Sequence, residues 1–122
     1  MLVWILLAVL IIIIIIMRYK PDVHGDSIRT LVRQGARWST AAEQDNNPMI
    51  AVLHANYGAG YLWALADIAT PAEIEKHSGI DYKKYKNAIV KIQDKATKRM
   101  ASVCPAYAPN PTYLTAIGGE GV

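Results

Sequence analysis

The side chains able to carry chemistry are few and lie far apart along the 122 residues. Cys104 is the single cysteine, and the histidines are His24, His54 and His77. Cys104 paired with His54 or His77 would give an activated thiol nucleophile, but no spacing in the sequence positions such a pair. A lone cysteine excludes an internal disulfide framework and the four-cysteine zinc patterns, and the histidines form no ligand cluster. We therefore predict neither an enzyme nor a metal or cofactor site.

A glycine-rich phosphate loop is also missing. Gly58-Ala59-Gly60 has the composition of such a loop, but it lies inside a helical pattern. No strand is predicted before it, and no Lys-Ser or Lys-Thr pair follows it. The sequence therefore gives no sign of nucleotide binding through this segment.

Basic residues are concentrated in one segment. Asp81 to Arg99 contains seven basic and two acidic residues. Four lysines share the outer face of a predicted helix: Lys84, Lys91, Lys95 and Lys98. Such a face is usually a solvated surface, and the alternative is binding of nucleic acid or of anionic lipid. We do not expect nucleic acid as a partner.

The first seventeen residues contain no charged side chain and include the isoleucine run Ile11–Ile16. As a helix, Leu2–Met17 would extend about 25 Å, which is short for a bilayer core of about 30 Å. Basic side chains just after it can extend to the interface and make up the difference. We predict a transmembrane anchor over residues 1–20. Its key residues are Leu2, Val3, Trp4, Ile5, Leu6, Leu7, Ile13, Ile16, Met17, Arg18 and Lys20.

A cleaved signal peptide is the competing interpretation of this segment. No basic residue precedes the apolar run, and it ends in Met17-Arg18-Tyr19-Lys20-Pro21, where cleavage needs small residues. We therefore predict a retained single span. The nearby basic residues lie on its C-terminal flank, so the positive-inside rule places the rest of the chain on the cytoplasmic side or its topological equivalent.

Residues 21–104 are predicted to form a small body of three to four helices. Asp26 or Ser27 is expected to cap the first helix. Asn47 is expected to cap a second helix that begins at Pro48 and ends near Ala69. In this helix, alanines at every fourth position (Ala51, Ala55, Ala59) would let another backbone approach closely, and Leu62 and Trp63 would fill the far end of the core.

Two further helices complete the predicted body. Thr70-Pro71-Ala72-Glu73 has the sequence of a capping box, and Gly79 is expected to end this short helix. Asp81 is expected to cap the last one. Its apolar stripe, spaced by three and four residues, packs inward or onto a partner: Tyr82, Tyr85, Ile89, Ile92, Ala96, Met100 and Val103.

A second uncharged stretch, Met49 to Ala66, leaves two alternatives open. It is either the central helix of the bundle or another membrane span. Polar residues in its middle, His54 and Asn56 among them, are costly in a bilayer and favour the bundle. These two side chains are expected to be hydrogen-bonded rather than catalytic.

The C-terminal residues 105–122 combine Pro105, Pro109 and Pro111 with tyrosines and end in a glycine-rich sequence. This composition predicts an extended tail that forms no packed element alone. Docking on another chain or on the body would use Tyr107, Tyr113, Leu114 and Ile117. The alternative is a solvated tail.

Two runs carry a resemblance to a family: Ala36-Arg37-Trp38-Ser39-Thr40-Ala41-Ala42-Glu43-Gln44-Asp45 and Leu53-His54-Ala55-Asn56-Tyr57-Gly58-Ala59-Gly60-Tyr61-Leu62-Trp63. They resemble uncharacterised short single-span membrane proteins of large DNA viruses of algae and protists. The resemblance implies a minor virion component, a minor capsid protein located between an internal membrane and a protein shell. It implies no functional residues.

The sequence therefore predicts an all-α structural protein with a lipid bilayer and neighbouring protein subunits as its partners. In the leading hypothesis it tethers an internal membrane of a virion to the shell through its helical body and tail. The first alternative is a small accessory subunit of a cellular membrane complex. The second is a nucleic-acid or anionic-lipid binder that acts through its basic face.

Overall fold

The computed structural model describes residues 1–107. They form five α-helices and a final 3₁₀ turn: α1 (Leu2–Arg18), α2 (Val23–Gln44), α3 (Pro48–Ile68), α4 (Pro71–Ser78), α5 (Tyr82–Val103) and the 3₁₀ turn Pro105–Tyr107. No β-strand occurs within these residues. The predicted all-α class is confirmed.

The starts of α3, α4 and α5 follow the predicted caps. The Asn47 side chain accepts hydrogen bonds from the amides of the first turn of α3. Thr70 and Glu73 form the reciprocal capping box of α4, and Asp81 accepts a hydrogen bond from the Lys84 amide. Gly79 ends α4 with φ of 72°, a left-handed conformation that only glycine adopts without steric cost.

The predicted start of α2 is wrong. The helix begins at Val23, and its cap is Asp22, whose Oδ1 accepts a hydrogen bond from the Gly25 amide at 3.0 Å. Asp26 and Ser27 therefore lie in the first turns of the helix. There Asp26 pairs with Arg29, and the Ser27 hydroxyl donates to the Val23 carbonyl at 2.8 Å.

Helices α2, α3 and α5 pack side by side as a three-helix bundle. Ala42 near the end of α2 meets Ala51 near the start of α3, so these two helices run antiparallel. Met100 near the end of α5 joins the same cluster, so α5 is antiparallel to α3 as well. Ala51, Ala55 and Ala59 of α3 are buried, as their spacing predicted. α3 is therefore the central helix of the bundle.

The short helix α4 closes the opposite end of the bundle. Its Ile74 is fully buried against Ile28 of α2 and Leu65 of α3. Because α2 begins at this end, the segment that connects α1 to the body leaves the bundle beside α4. The end of α5 lies at the other end, next to the α2–α3 connection.

Two residues of the predicted core are more exposed than expected. Leu62 is fully buried, but Trp63 is 39% exposed because the next position of the helix turns toward the rim of α5, where Lys86 lies over the indole ring. Within the apolar stripe of α5, Ile89, Ala96 and Met100 are buried, whereas Val103 is 63% exposed in the last turn.

The tail was predicted to be extended from residue 105, but its first three residues form the 3₁₀ turn Pro105–Tyr107. Tyr113, Leu114 and Ile117 lie outside the described residues, as does the side chain of Tyr107. Their predicted role in binding a partner stays a prediction.

Candidate membrane anchor and interaction surfaces

Helix α1 has no buried residue. Every predicted anchor residue from Leu2 to Lys20 is exposed, and the helix has neither a side-chain cap nor an acidic residue in its first turn. Its single charged residue, Arg18, lies in the last turn, where a cation is favourable because of the helix dipole. The helix thus exposes an uninterrupted apolar surface that ends in a basic collar, Arg18 and Lys20.

No individual helix within residues 1–107 is both long and apolar enough to cross a membrane. Taken together across the break between them, α1 and α2 meet the same criterion, with a bend of 46°. This criterion concerns length and composition only.

The basic face of α5 is solvent-exposed. Lys84, Lys91, Lys95 and Lys98 are all exposed, and no lysine takes part in an ion pair within the part of the chain that the structure describes. Asp94 lies between them in the sequence. Lys84 lines a groove together with Asp81 and Lys83, and Lys95 lines another together with Glu43 and Arg99, so an acidic side chain shares each groove with the lysine.

A cluster of ionisable groups lies where α2 and α4 meet. The His77 Nδ1 lies 3.4 Å from the Asp22 Oδ2, and the His24 Nε2 lies 3.7 Å from the Glu73 Oε1. The Gly25 amide lowers the pKa of Asp22 by donating a hydrogen bond to its carboxylate, and the nearby His77 and Arg29 act in the same direction. The Thr70 amide lowers the pKa of Glu73 in the same way. These contacts join α4 to the start of α2.

His54 is half-buried on the other side of the bundle. Its Nδ1 lies 2.6 Å from the Asp45 Oδ2, and the Trp38 ring lies 5.0 Å from the imidazole, between centroids. Asn56 accepts a hydrogen bond from Gln93 of α5 at 2.9 Å. Both side chains are hydrogen-bonded, as predicted, but each to another part of the bundle.

The geometry gives the candidate nucleophile no base. Cys104 packs against the cluster formed by the ends of α2, α3 and α5. Its thiol shares no hydrogen bond or ion pair with His54 or His77 in residues 1–107. No group of three or more histidine, cysteine or acidic side chains in these residues could hold a metal ion.

One surface was not predicted from the sequence, and we call it the α2–α3 face. A groove of about 450 Å³ runs between α2 and α3, and Asn56, which bonds to Gln93 of α5, is one of its lining residues. We define the face by six residues of this groove: Leu31, Trp38, Tyr57, Gly60, Tyr61 and Ala64. The signal was present, because a helix that is apolar on all sides and contacts two neighbours must leave one apolar side uncovered.

Comparison with known proteins found no relative of this chain. The chain matches no protein-family model, no curated protein and no solved structure.

Proposed function

We propose that the protein is a membrane-anchored structural protein. In this proposal α1 lies in a lipid bilayer as a single span, and α2–α5 form a body at the membrane surface that contacts neighbouring subunits of a larger assembly. The observation that carries the proposal is the contrast in burial. Each helix of the body buries at least one residue, whereas α1 buries none of its 17.

The hydrophobic effect makes an exposed apolar helix unfavourable in water. Burial of apolar surface contributes about 25 cal/mol per Å², and a run of exposed leucines and isoleucines loses that contribution in water. A bilayer supplies the apolar surroundings that the body does not. The helix rises about 25 Å, and the exposed side chains of Arg18 and Lys20 can extend along its last turn toward the headgroups.

The basic collar also supports one orientation. Arg18 and Lys20 follow the apolar run, and the exposed arginines Arg29, Arg33 and Arg37 lie further along the chain. Positive charge on the C-terminal flank favours a body on the cytoplasmic side or its topological equivalent. The connection between α1 and the body lies beside α4, so this end of the bundle faces the membrane.

The assembly in which the protein works has two candidates. The resemblance to single-span proteins of large DNA viruses favours a minor virion component that tethers an internal membrane to the shell. An accessory subunit of a cellular membrane complex would use the same anchor and body. Copy number and the identity of the neighbouring chains distinguish the two.

Alkaline carbonate extraction tests the anchor. We expect the full-length chain to stay with membranes. Ile13→Arg should reduce insertion, because an arginine at the centre of a span costs about 2.5–3.5 kcal/mol on insertion scales. Ile13→Leu is the matched control and should insert like the wild type. Recovery of a mature chain that begins near Arg18, or complete release of the wild type by carbonate, would overturn the proposal.

The tail is tested separately. Deletion of residues 105–122 should leave membrane insertion and helical content unchanged and should weaken incorporation into the assembly, measured by co-purification with neighbouring subunits. Equal incorporation of the shortened chain would remove the tail from the proposed tether.

A further inference from the structure

The α2–α3 face is apolar, with Tyr57 and Gly60 exposed and its other four residues half-buried. Next to the groove, Leu53 is 43% and Ile68 is 44% exposed. A second groove of about 480 Å³ shares Leu31 with the first, and its other lining residues toward the start of α2, Asp26, Ser27 and Thr30 among them, are mostly polar, so the apolar surface ends near Leu31. A monomeric soluble body seldom leaves a contiguous apolar surface of this extent uncovered.

No residue that defines the face carries a charge. α3 has no charged residue before Asp67, and on α2 the nearest cation, Arg37, lies over the Trp38 ring at 5.5 Å from its centroid. A partner of strong charge would find no counter-charge on this face. An identical face brings no like-charge repulsion, and this favours a second copy of the chain.

The size of the face also fits a dimer. On the side of α3 that carries this face, apolar side chains are exposed from Ile50 (38%) to Ile68 (44%), a length of about 28 Å, since each residue adds about 1.5 Å. Two adjacent helices with axes 8–10 Å apart present a width of about 20 Å. The product, about 600 Å², approaches the roughly 800 Å² that each partner buries in a standard interface.

We propose that two copies of the chain associate through their α2–α3 faces into a four-helix core. A two-fold axis parallel to the helices places α2 of each copy beside α3 of the other, so that every neighbouring pair is antiparallel. Large rings (Trp38, Tyr57, Tyr61) alternate with small positions (Gly60, Ala64) on the face, and the small positions of one copy accept the rings of the other.

The same axis brings both copies of α1 out at one end of the core. Two anchors at one end can enter a single bilayer, whereas a perpendicular axis would send them in opposite directions. This orientation rests on the proposed anchor, but the association of the faces does not. Failure of the anchor and failure of the dimer are therefore separate outcomes.

The test measures the number of chains per particle for the full-length protein in detergent, by light scattering that separates protein mass from detergent mass. We expect two chains for the wild type. Gly60→Glu places a carboxylate at the centre of the face, where a new Cβ would have no atom within 4 Å. It should raise the dimer dissociation constant at least tenfold while the circular dichroism spectrum stays helical.

Ala66→Glu is the matched control. Ala66 is exposed on the same helix and lies outside the face, so this variant should remain a dimer. A wild type with one chain per particle would overturn the proposal, and so would a Gly60→Glu variant that stays dimeric. If deletion of residues 108–122 turns a monomeric chain into a dimer, the tail covers the face instead and the proposal is also overturned.

Discussion

Two helices of this chain, α1 and α3, are apolar along nearly their whole length, yet only one of them belongs to the body. α3 buries seven residues, among them Ala51, Ala55, Gly58 and Ala59. α1 buries none, and its residues are almost all large aliphatic ones. Small residues at intervals of three and four let the backbones of α2 and α5 approach α3. Apolar composition alone therefore does not decide whether a helix packs; the placement of small residues does.

The comparison is tested most strongly by truncating one large side chain in each helix. Leu65 of α3 is fully buried against Ile28 and Ile74. Leu65→Ala should lower the free energy of unfolding of the body by about 2–5 kcal/mol, because it removes apolar contacts and leaves a cavity. Ile13→Ala in α1 is the control and should leave unfolding of the body unchanged. Denaturant titration in detergent measures both, and equal losses would contradict the separation of α1 from the body.

A smaller effect is expected from filling the close approach of α2 and α3. A Cβ at Gly58 would overlap the Ser39 hydroxyl and would lie 3.1 Å from the Ser39 nitrogen and 3.2 Å from the Gly35 oxygen. Gly58→Ala should therefore lower the free energy of unfolding by about 1–3 kcal/mol, because the added methyl group overpacks this contact.

Gly60, half a turn further on, provides the matched control. Within one copy of the chain the Cβ of Gly60→Ala meets no neighbouring atom. At protein concentrations below the proposed dimer dissociation constant, the variant should therefore raise the free energy of unfolding by about 0.5–1 kcal/mol, because alanine has the higher helix propensity. Thermal unfolding of the two variants should shift in opposite directions. Shifts of the same sign would show that α2 and α3 are not in close contact at Gly58.

Tyr85 of α5 packs against the Ala59–Leu62 region of α3, and its hydroxyl donates to the Val32 carbonyl at 2.8 Å. Tyr85→Phe should lower the free energy of unfolding at neutral pH by about 0.5–1.5 kcal/mol, the usual net contribution of one hydrogen bond.

Alkaline pH tests the same contact. Burial is the main cause that raises the pKa of Tyr85 from 10.0 to about 12. The folded state therefore keeps the phenol protonated where the unfolded chain loses the proton. This stabilisation is complete below pH 10 and is lost as the pH rises through 12. Tyr85→Phe should unfold with a weaker dependence on pH in this range than Tyr61→Phe, and identical profiles would contradict the burial of Tyr85.

The smallest effect is expected at Trp63, which was predicted to be a core residue whose truncation costs about 3–5 kcal/mol. Because Trp63 is partly exposed, we expect a smaller loss of unfolding free energy than that. Its indole ring lies 5.2 Å from the Lys86 ammonium, a contact worth about 0.5–1 kcal/mol at an exposed site. Lys86→Gln should lower the free energy of unfolding in urea by this amount, and an unchanged free energy would contradict the contact between Lys86 and Trp63.

The helix boundaries could be predicted where a cap is encoded locally. Asn47-Pro48, the Thr70–Glu73 pair and Gly79 each determine a terminus through neighbouring backbone groups, so no tertiary information was needed. Asp22 was overlooked because Val23-His24-Gly25 has poor helix formers, and the helix there is stabilised by contacts with α4.

Contacts between helices could not be predicted in the same way. The hydrogen bond between Asn56 and Gln93 depends on the register of α3 against α5, which no local pattern specifies. The α2–α3 face was missed for a related reason. Since α3 is apolar on all sides, its periodicity does not show which side stays uncovered.

Arg99 donates hydrogen bonds to the carbonyls of Asp45 and Asn46 in the connection between α2 and α3. This connection is therefore held by a side chain from the last turns of α5. The α2–α3 connection cannot open locally unless Arg99 at the end of α5 is released. The connection and the last turns of α5 therefore form one cooperative unit. In hydrogen exchange, the amides of Asp45 and Cys104, which bond to the Ala41 and Met100 carbonyls, should exchange at similar rates, and Arg99→Ala should accelerate both.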